Sequence, residues 1–219
     1  MKKLLSLFLL LSCLLGTVSA EDGSRLWLRQ STDAHAQITA PRQSPTLNIA
    51  VRELKQAWKG LPVTLVLKKD KQLSSEGFRI RQVNGKLTVT SPSETGLLYA
   101  AYHLIRLQEM RNFGKPSETD QEITENPAYD LRILNHWDNL DRSIERGYAG
   151  KSLWNWEELP GTLSDRYEAY ARANASIGIN ATVLNNVNAS SKILSAEYLE
   201  KVKACLLYTS DAADEARSV

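Results

Sequence analysis

Two short polar clusters hold the side chains best placed in this sequence to contact a ligand: Asn135-His136-Trp137-Asp138-Asn139 and Asn185-Asn186-Val187-Asn188. Each closes an apolar run, Leu131 to Leu134 in the first case and Ala181 to Leu184 in the second. Between them lies Leu140 to Gly161, rich in glycine and aromatics, where Tyr148, Trp154 and Trp156 are available either to line a sugar site or to pack the loop. Asp138, Asp141 and Glu145 invite an acid/base reading. Solvation and local salt bridges suit Asp141 better, and Asp138 is placed to orient the loop. His136 is open to two readings, ligand contact or a hydrogen-bonded structural role. His35, His103 and His136 are widely spaced and have no nearby cysteines, so no metal is expected. Gly150-Lys151-Ser152 ends like a phosphate loop, but the required earlier glycine is Glu145. Nucleophile-elbow and dinucleotide fingerprints are missing, and no cofactor is expected.

The elements that would position these clusters form two groups. From Glu21 to about Thr124 the pattern is mixed α/β. Leu26-Trp27-Leu28 reads as a short strand. Pro45, Leu47, Ala50, Val51, Leu54 and Trp58 have helical spacing, and Gly60 stands at the stop. Val63 to Leu67 is β-branched and aliphatic. Phe78 to Val83 alternates, Asn84-Gly85 signals a hairpin turn, and Leu87-Thr88-Val89 returns. Ser91, Pro92 and Glu94 then read as a helix start, with Leu97, Leu98, Ala101, Leu104 and Ile105 on one face. Ser117 to Pro127 is polar and acidic and reads as a linker. Beyond it the order is strand, crossover helix capped by Ser164 and ended by Gly178, strand, and a helix beginning at Ser195. That is the opening of a parallel α/β architecture, in which ligands gather at the C-terminal ends of strands.

Composition is that of a soluble globular protein: 42% hydrophobic, 24% charged, net charge +2. This balance argues against nucleic acid or an anionic membrane surface as partner. Residues 1–20 carry Lys2, Lys3, an apolar run from Leu4 to Leu15 and the small residues Val18-Ser19-Ala20, an export signal too short to span a membrane. A second reading takes Leu10-Leu11-Ser12-Cys13 as a loose lipobox that would leave Cys13 lipidated. The location expected is periplasmic or extracellular. With the signal removed only Cys205 remains, so no internal disulfide can form.

The string Ile133 to Leu140 followed by Glu145-Arg146-Gly147-Tyr148-Ala149-Gly150 resembles glycoside hydrolase family 67, the α-glucuronidases. So do Ser152-Leu153-Trp154-Asn155-Trp156, Tyr170 to Asn180 and Val183 to Asn188. The resemblance implies α/β fold: a small hexosaminidase-like α/β domain over 21–124, then the first βα units of a truncated (β/α)8 barrel over 125–204. It implies removal of α-1,2-linked (4-O-methyl)glucuronic acid from xylooligosaccharides, with inversion and without a cofactor. By resemblance Trp137 and Val187 form an apolar sheath around the glucuronate, Glu145 and Arg146 sit in the uronate pocket, and Asn186 is their neighbour. The family's catalytic carboxylates lie on later strands, with no counterpart expected here, so this chain alone is expected to be inactive. Homodimer formation by the full-length protein is left open.

Two departures stand out. Lys68 to Gly77 passes quickly between strands where many family members are longer. The match also ends near Cys205, and Cys205 to Glu215 resembles a translated sequencing adapter, so 205–219 reads as a non-native tail. Two competing readings remain: a non-catalytic carbohydrate-binding module, and a fragment of another glycoside hydrolase with a hexosaminidase-like N-terminal domain.

Overall fold

The computed structural model describes residues 23, 25–31, 33–111, 114–115 and 120–209. The export signal and Cys13 fall outside the described residues, as do residues 210–219. Among the described residues no helix is long and apolar enough to cross a membrane.

The first unit is a five-stranded sheet with order β1-β2-β4-β3-β5: β1 Ile38–Thr39, β2 Val63–Leu67, β3 Phe78–Val83, β4 Lys86–Ser91 and β5 Gln121–Glu125. β1, β2 and β4 run parallel, and β3 is antiparallel to both β4 and β5. Asn84 and Gly85 take φ of 49° and 71°, the left-handed pair that a two-residue hairpin requires. Alternation in β3 and β4 turns Phe78, Ile80, Leu87 and Val89 inward. Against them pack α1 (Pro45–Ala57) and α2 (Glu94–Arg111), which bring Leu47, Leu54, Leu97, Leu98, Leu104 and Ile105 into one core. Ser44 caps α1, its hydroxyl accepting from Leu47 N at 3.2 Å, with Pro45 in the first turn.

Three local expectations are corrected. Leu26-Trp27-Leu28 is a turn rather than a strand. Leu26 has φ 52°, and Leu26 N and Leu28 N donate to Gly23 O and Arg25 O; folding back this way buries Leu28 in the core. The start of α2 is capped by Ser93, whose Oγ accepts from Gly96 N at 3.0 Å. Ser91 instead ends β4 and donates to Gly77 O, while buried Glu94 accepts from Arg42 and Ser44. The acidic stretch read as a linker contains β5. It is an edge strand, held by its ladder to β3 and by Glu122 meeting Arg81 at 2.5 Å and Arg79 at 3.2 Å. Charge suits an edge, and for that reason the strand lacks an apolar signature.

The second unit runs β6 (Ile133–Asn135), α3 (Asp165–Ser176), β7 (Ala181–Val183) and α4 (Ala196–Thr209). β6 and β7 are parallel, with Ile133 opposite Ala181 and Asn135 opposite Val183. Ser164 caps α3, and Gly178, at φ 75°, turns the chain out of it. α4 passes position 205 without a break, and Cys205 is buried beside Trp154, Trp156, Leu159 and Tyr167. The two units are joined by Arg172 of α3. Its Nε and Nη2 donate to the Glu53 carboxylate of α1 at 2.8 and 2.7 Å, and Nη2 also donates to Leu28 O at 3.3 Å.

Candidate functional site

Parallel pairing of β6 with β7 puts their C-terminal ends side by side, so the loops leaving them face each other. Between those loops lies a cavity of about 140 Å³ lined by Asn135, Trp137, Glu145, Arg146, Asn186, Val187 and Asn188. All five residues that the family resemblance assigns to the uronate pocket meet there, whereas His136, Asp138, Asp141, Tyr148, Trp154 and Trp156 do not line it. Asn135 and Asn188 line it as well, and their presence in the two polar clusters was the available signal.

The backbone that presents them is held by main-chain hydrogen bonds between the loops. His136 N donates to Val183 O at 3.1 Å, continuing the strand ladder one residue past β6. Glu145 N donates to Trp137 O at 2.7 Å, so the returning loop lies against the first. Arg146 occupies the left-handed region at φ 59°, and its guanidinium stands 5.2 Å from the Trp137 ring centroid. That is a cation–π pair at a partly open surface. Glu145 accepts from Asn188 Nδ2 at 3.4 Å. Trp137 is 42% exposed and Val187 is 99% exposed, so neither fills core. The cavity thus offers an indole, an exposed aliphatic side chain, a guanidinium and a carboxylate. This set can cover the C–H face of a sugar and hydrogen-bond its oxygens.

Asn186 has a different part. It is buried, its N and Nδ2 both donate to Asp138 O (3.0 and 3.1 Å), Nδ2 also reaches Asn139 Oδ1 at 2.6 Å, and Oδ1 accepts from Asn188 N at 2.7 Å. It clamps one loop to the other. Asp138 is also buried and accepts from Ser152 Oγ at 2.6 Å. Hydrogen bonds of Asp141 to Ser143, from the side chain first and then the backbone, hold its carboxyl below the usual carboxylate range and close a local turn. His136 faces inward, Nε2 to Tyr170 OH at 2.7 Å, with its ring edge-on to Trp154. Trp154 and Trp156 are core residues beneath the loop, Trp154 stacked on Tyr167 at 5.4 Å, whereas Tyr148 is exposed. Among the described residues no three His, Cys, Asp or Glu side chains are grouped so as to hold a metal ion.

Residues 113–208 match the family model for the glycosyl hydrolase family 67 middle domain. The chain is 32% identical to alpha-glucuronidase A of Aspergillus tubingensis, across 88% of its own length and 27% of that protein's. Identity is also 32% to the probable alpha-glucuronidase A of Aspergillus niger, across 90% of this chain and 27% of the relative. The chain therefore spans about a quarter of the length of these curated relatives. Among solved structures, a GH138 enzyme targeting pectin rhamnogalacturonan II superposes with TM-score 0.56 at 14% identity, over 83% of this chain and 23% of that one. At that identity the likeness is one of fold.

Proposed function

We propose, from the premise that this chain is a family-67-like glycoside hydrolase sequence, that it forms part of the sugar pocket of an exported α-glucuronidase. The substrate is (4-O-methyl)glucuronic acid linked α-1,2 to xylooligosaccharides, and the linkage is hydrolysed with inversion. In this reading residues 21–124 are a hexosaminidase-like domain, β6–α3–β7–α4 opens a (β/α)8 barrel, and residues 1–20 direct export. The observation that carries it is the single cavity at the C-terminal ends of two parallel strands, shared by Trp137, Glu145, Arg146, Asn186 and Val187.

The roles follow from side-chain chemistry. Trp137 covers the C–H face of the uronate ring, and Val187 meets its methoxy group. Arg146 donates charge-assisted hydrogen bonds to ring or carboxylate oxygens, while Glu145 accepts from hydroxyls. Asn186 keeps the two walls together. Inversion requires one carboxylic acid to protonate the leaving oxygen and a carboxylate on the opposite face to activate water, about 6.5–9.5 Å apart. We assign both groups to strands outside this chain.

The test is calorimetric titration of the purified chain with xylotriose bearing 4-O-methylglucuronic acid, beside unsubstituted xylotriose and an N-acetylhexosaminide. Binding confined to the uronate ligand and lost in Trp137→Ala supports the reading. Equal binding of all three, or preference for the N-acetylhexosaminide, overturns it. Release of glucuronic acid by this chain alone would refute the placement of the proton-transfer groups.

A further inference from the structure

The tripeptide His136-Trp137-Asp138 leaves β6 in alternating register, so its outer members point away from the cavity while Trp137 overlooks it. Both outer members are held from below. His136 Nε2 meets Tyr170 OH at 2.7 Å, and that hydroxyl meets Thr182 Oγ1 at 3.1 Å. Asp138 Oδ2 accepts from Ser152 Oγ at 2.6 Å and lies 3.5 Å from His136 Nδ1. The same Ser152 Oγ accepts from Trp154 N at 3.0 Å, which anchors the far end of the irregular loop in the aromatic core. Asp138 O takes both donors of Asn186, and Asp138 bridges to Ile144, just before Glu145 and Arg146. One buried residue therefore touches every segment that supplies a cavity wall, yet lines none of the cavity itself.

We infer that Asp138 is the positioning residue of this pocket: its buried carboxylate, bonded to Ser152, fixes the stretch of backbone that sets Trp137 under Arg146 and whose main-chain groups at Asp138 hold the Ile144 and Asn186 segments beside it. The ligand named in this inference rests on the proposed function; the positional role does not. Supporting groups around a binding residue commonly govern affinity without touching ligand.

The test compares Asp138→Ala, Ser152→Ala and the conservative Asp138→Asn, whose amide oxygen can still accept from Ser152. The first readout needs no ligand: the indole N–H resonance of Trp137, identified by its loss in Trp137→Phe. It is expected to shift or broaden in both alanine variants and to return near its native position in Asp138→Asn, while the resonances of Trp27 and Trp58 stay in place. The second readout is affinity for xylotriose bearing 4-O-methylglucuronic acid. It is expected to fall about tenfold in Asp138→Ala and to recover to within about threefold in Asp138→Asn. A Trp137 resonance unmoved in Ser152→Ala overturns the inference, as does one that moves only together with Trp27 and Trp58. If Asp138→Ala does not fold, Ser152→Ala and Asp138→Asn decide. If the native chain ignores the sugar, the proposed function falls while the indole readout still judges the positioning role.

Discussion

Replacing Arg172 with alanine probes how the two units are fastened. Glu53 keeps only 2% side-chain exposure and Arg172 27%, and the guanidinium meets the carboxylate through two nitrogens at 2.8 and 2.7 Å. Removing the arginine leaves the Glu53 charge buried without its partner, a class of change that costs about 3–5 kcal/mol. Partial exposure of Arg172 lets water reach the vacated space, so the expectation is the lower end, about 3 kcal/mol. For a chain of this size that is a fall in melting temperature of about 6–12 °C. Hydrogen bonding to Glu53, the largest influence, raises the Arg172 pKa above its ordinary value. A raised pKa contributes stability that persists below the unfolded value, so the arginine gives no pH dependence near neutrality. Arg172→Lys, keeping charge but losing the paired geometry, should lose about half as much. The double variant Glu53→Leu/Arg172→Leu should recover most of the loss, because an apolar pair leaves no buried charge. Urea and thermal unfolding followed by circular dichroism provide the measurement. A loss under about 1 kcal/mol in Arg172→Ala, or a double variant no better than the single one, would refute the reasoning.

Three further outcomes follow from the same structure. Burial pushes the Cys205 thiol up to about 11 and the Tyr99 phenol up to about 12. Both groups stay protonated in the folded chain after the unfolded chain has released its protons, so their contribution to stability is complete below about pH 9 and is lost towards pH 11–12; Cys205→Ala should flatten the first part of that decline in thermal melts. Gly114→Ala should destabilise by about 2 kcal/mol or more by chemical denaturation, because Gly114 has φ 84° and an added Cβ would stand 2.3 Å from the Trp58 ring. Arg146→Ala should weaken uronate binding in calorimetry more than binding of the corresponding neutral glucosyl ligand, since only the former brings a carboxylate to the guanidinium.

The legible parts of the fold were those whose signal is local. β2, the β3–β4 hairpin, α1 and α3 each combine strong periodicity with a turn or cap residue, and their observed bounds sit close to the expected ones. β5 escaped because a charged edge strand gains its stability from cross-strand ion pairs with Arg81 and Arg79, which sequence patterning does not display. Leu26-Trp27-Leu28 misled because tertiary burial of Leu28 outweighed β propensity. The polar clusters located the cavity in general terms, but only family resemblance placed Glu145 and Arg146 in it. Their approach to Trp137 depends on the loop bond from Glu145 N and on a left-handed arginine, neither encoded by spacing. Trp154 and Trp156, ambiguous in the sequence, proved to be the core on which the loop rests.

The two sheets differ in how they meet solvent. The larger one is bordered by the two-residue β1 and by β5 with its glutamates, both poor templates for a foreign strand. The smaller one presents Ile133 at 43%, Leu134 at 38% and Val183 at 39% exposure, within strands that among the described residues pair only with each other. Self-association by strand pairing should therefore start at the open edges of β6 and β7. Lysine at Ile133 should do more to keep concentrated samples clear than any charge added to the five-stranded face.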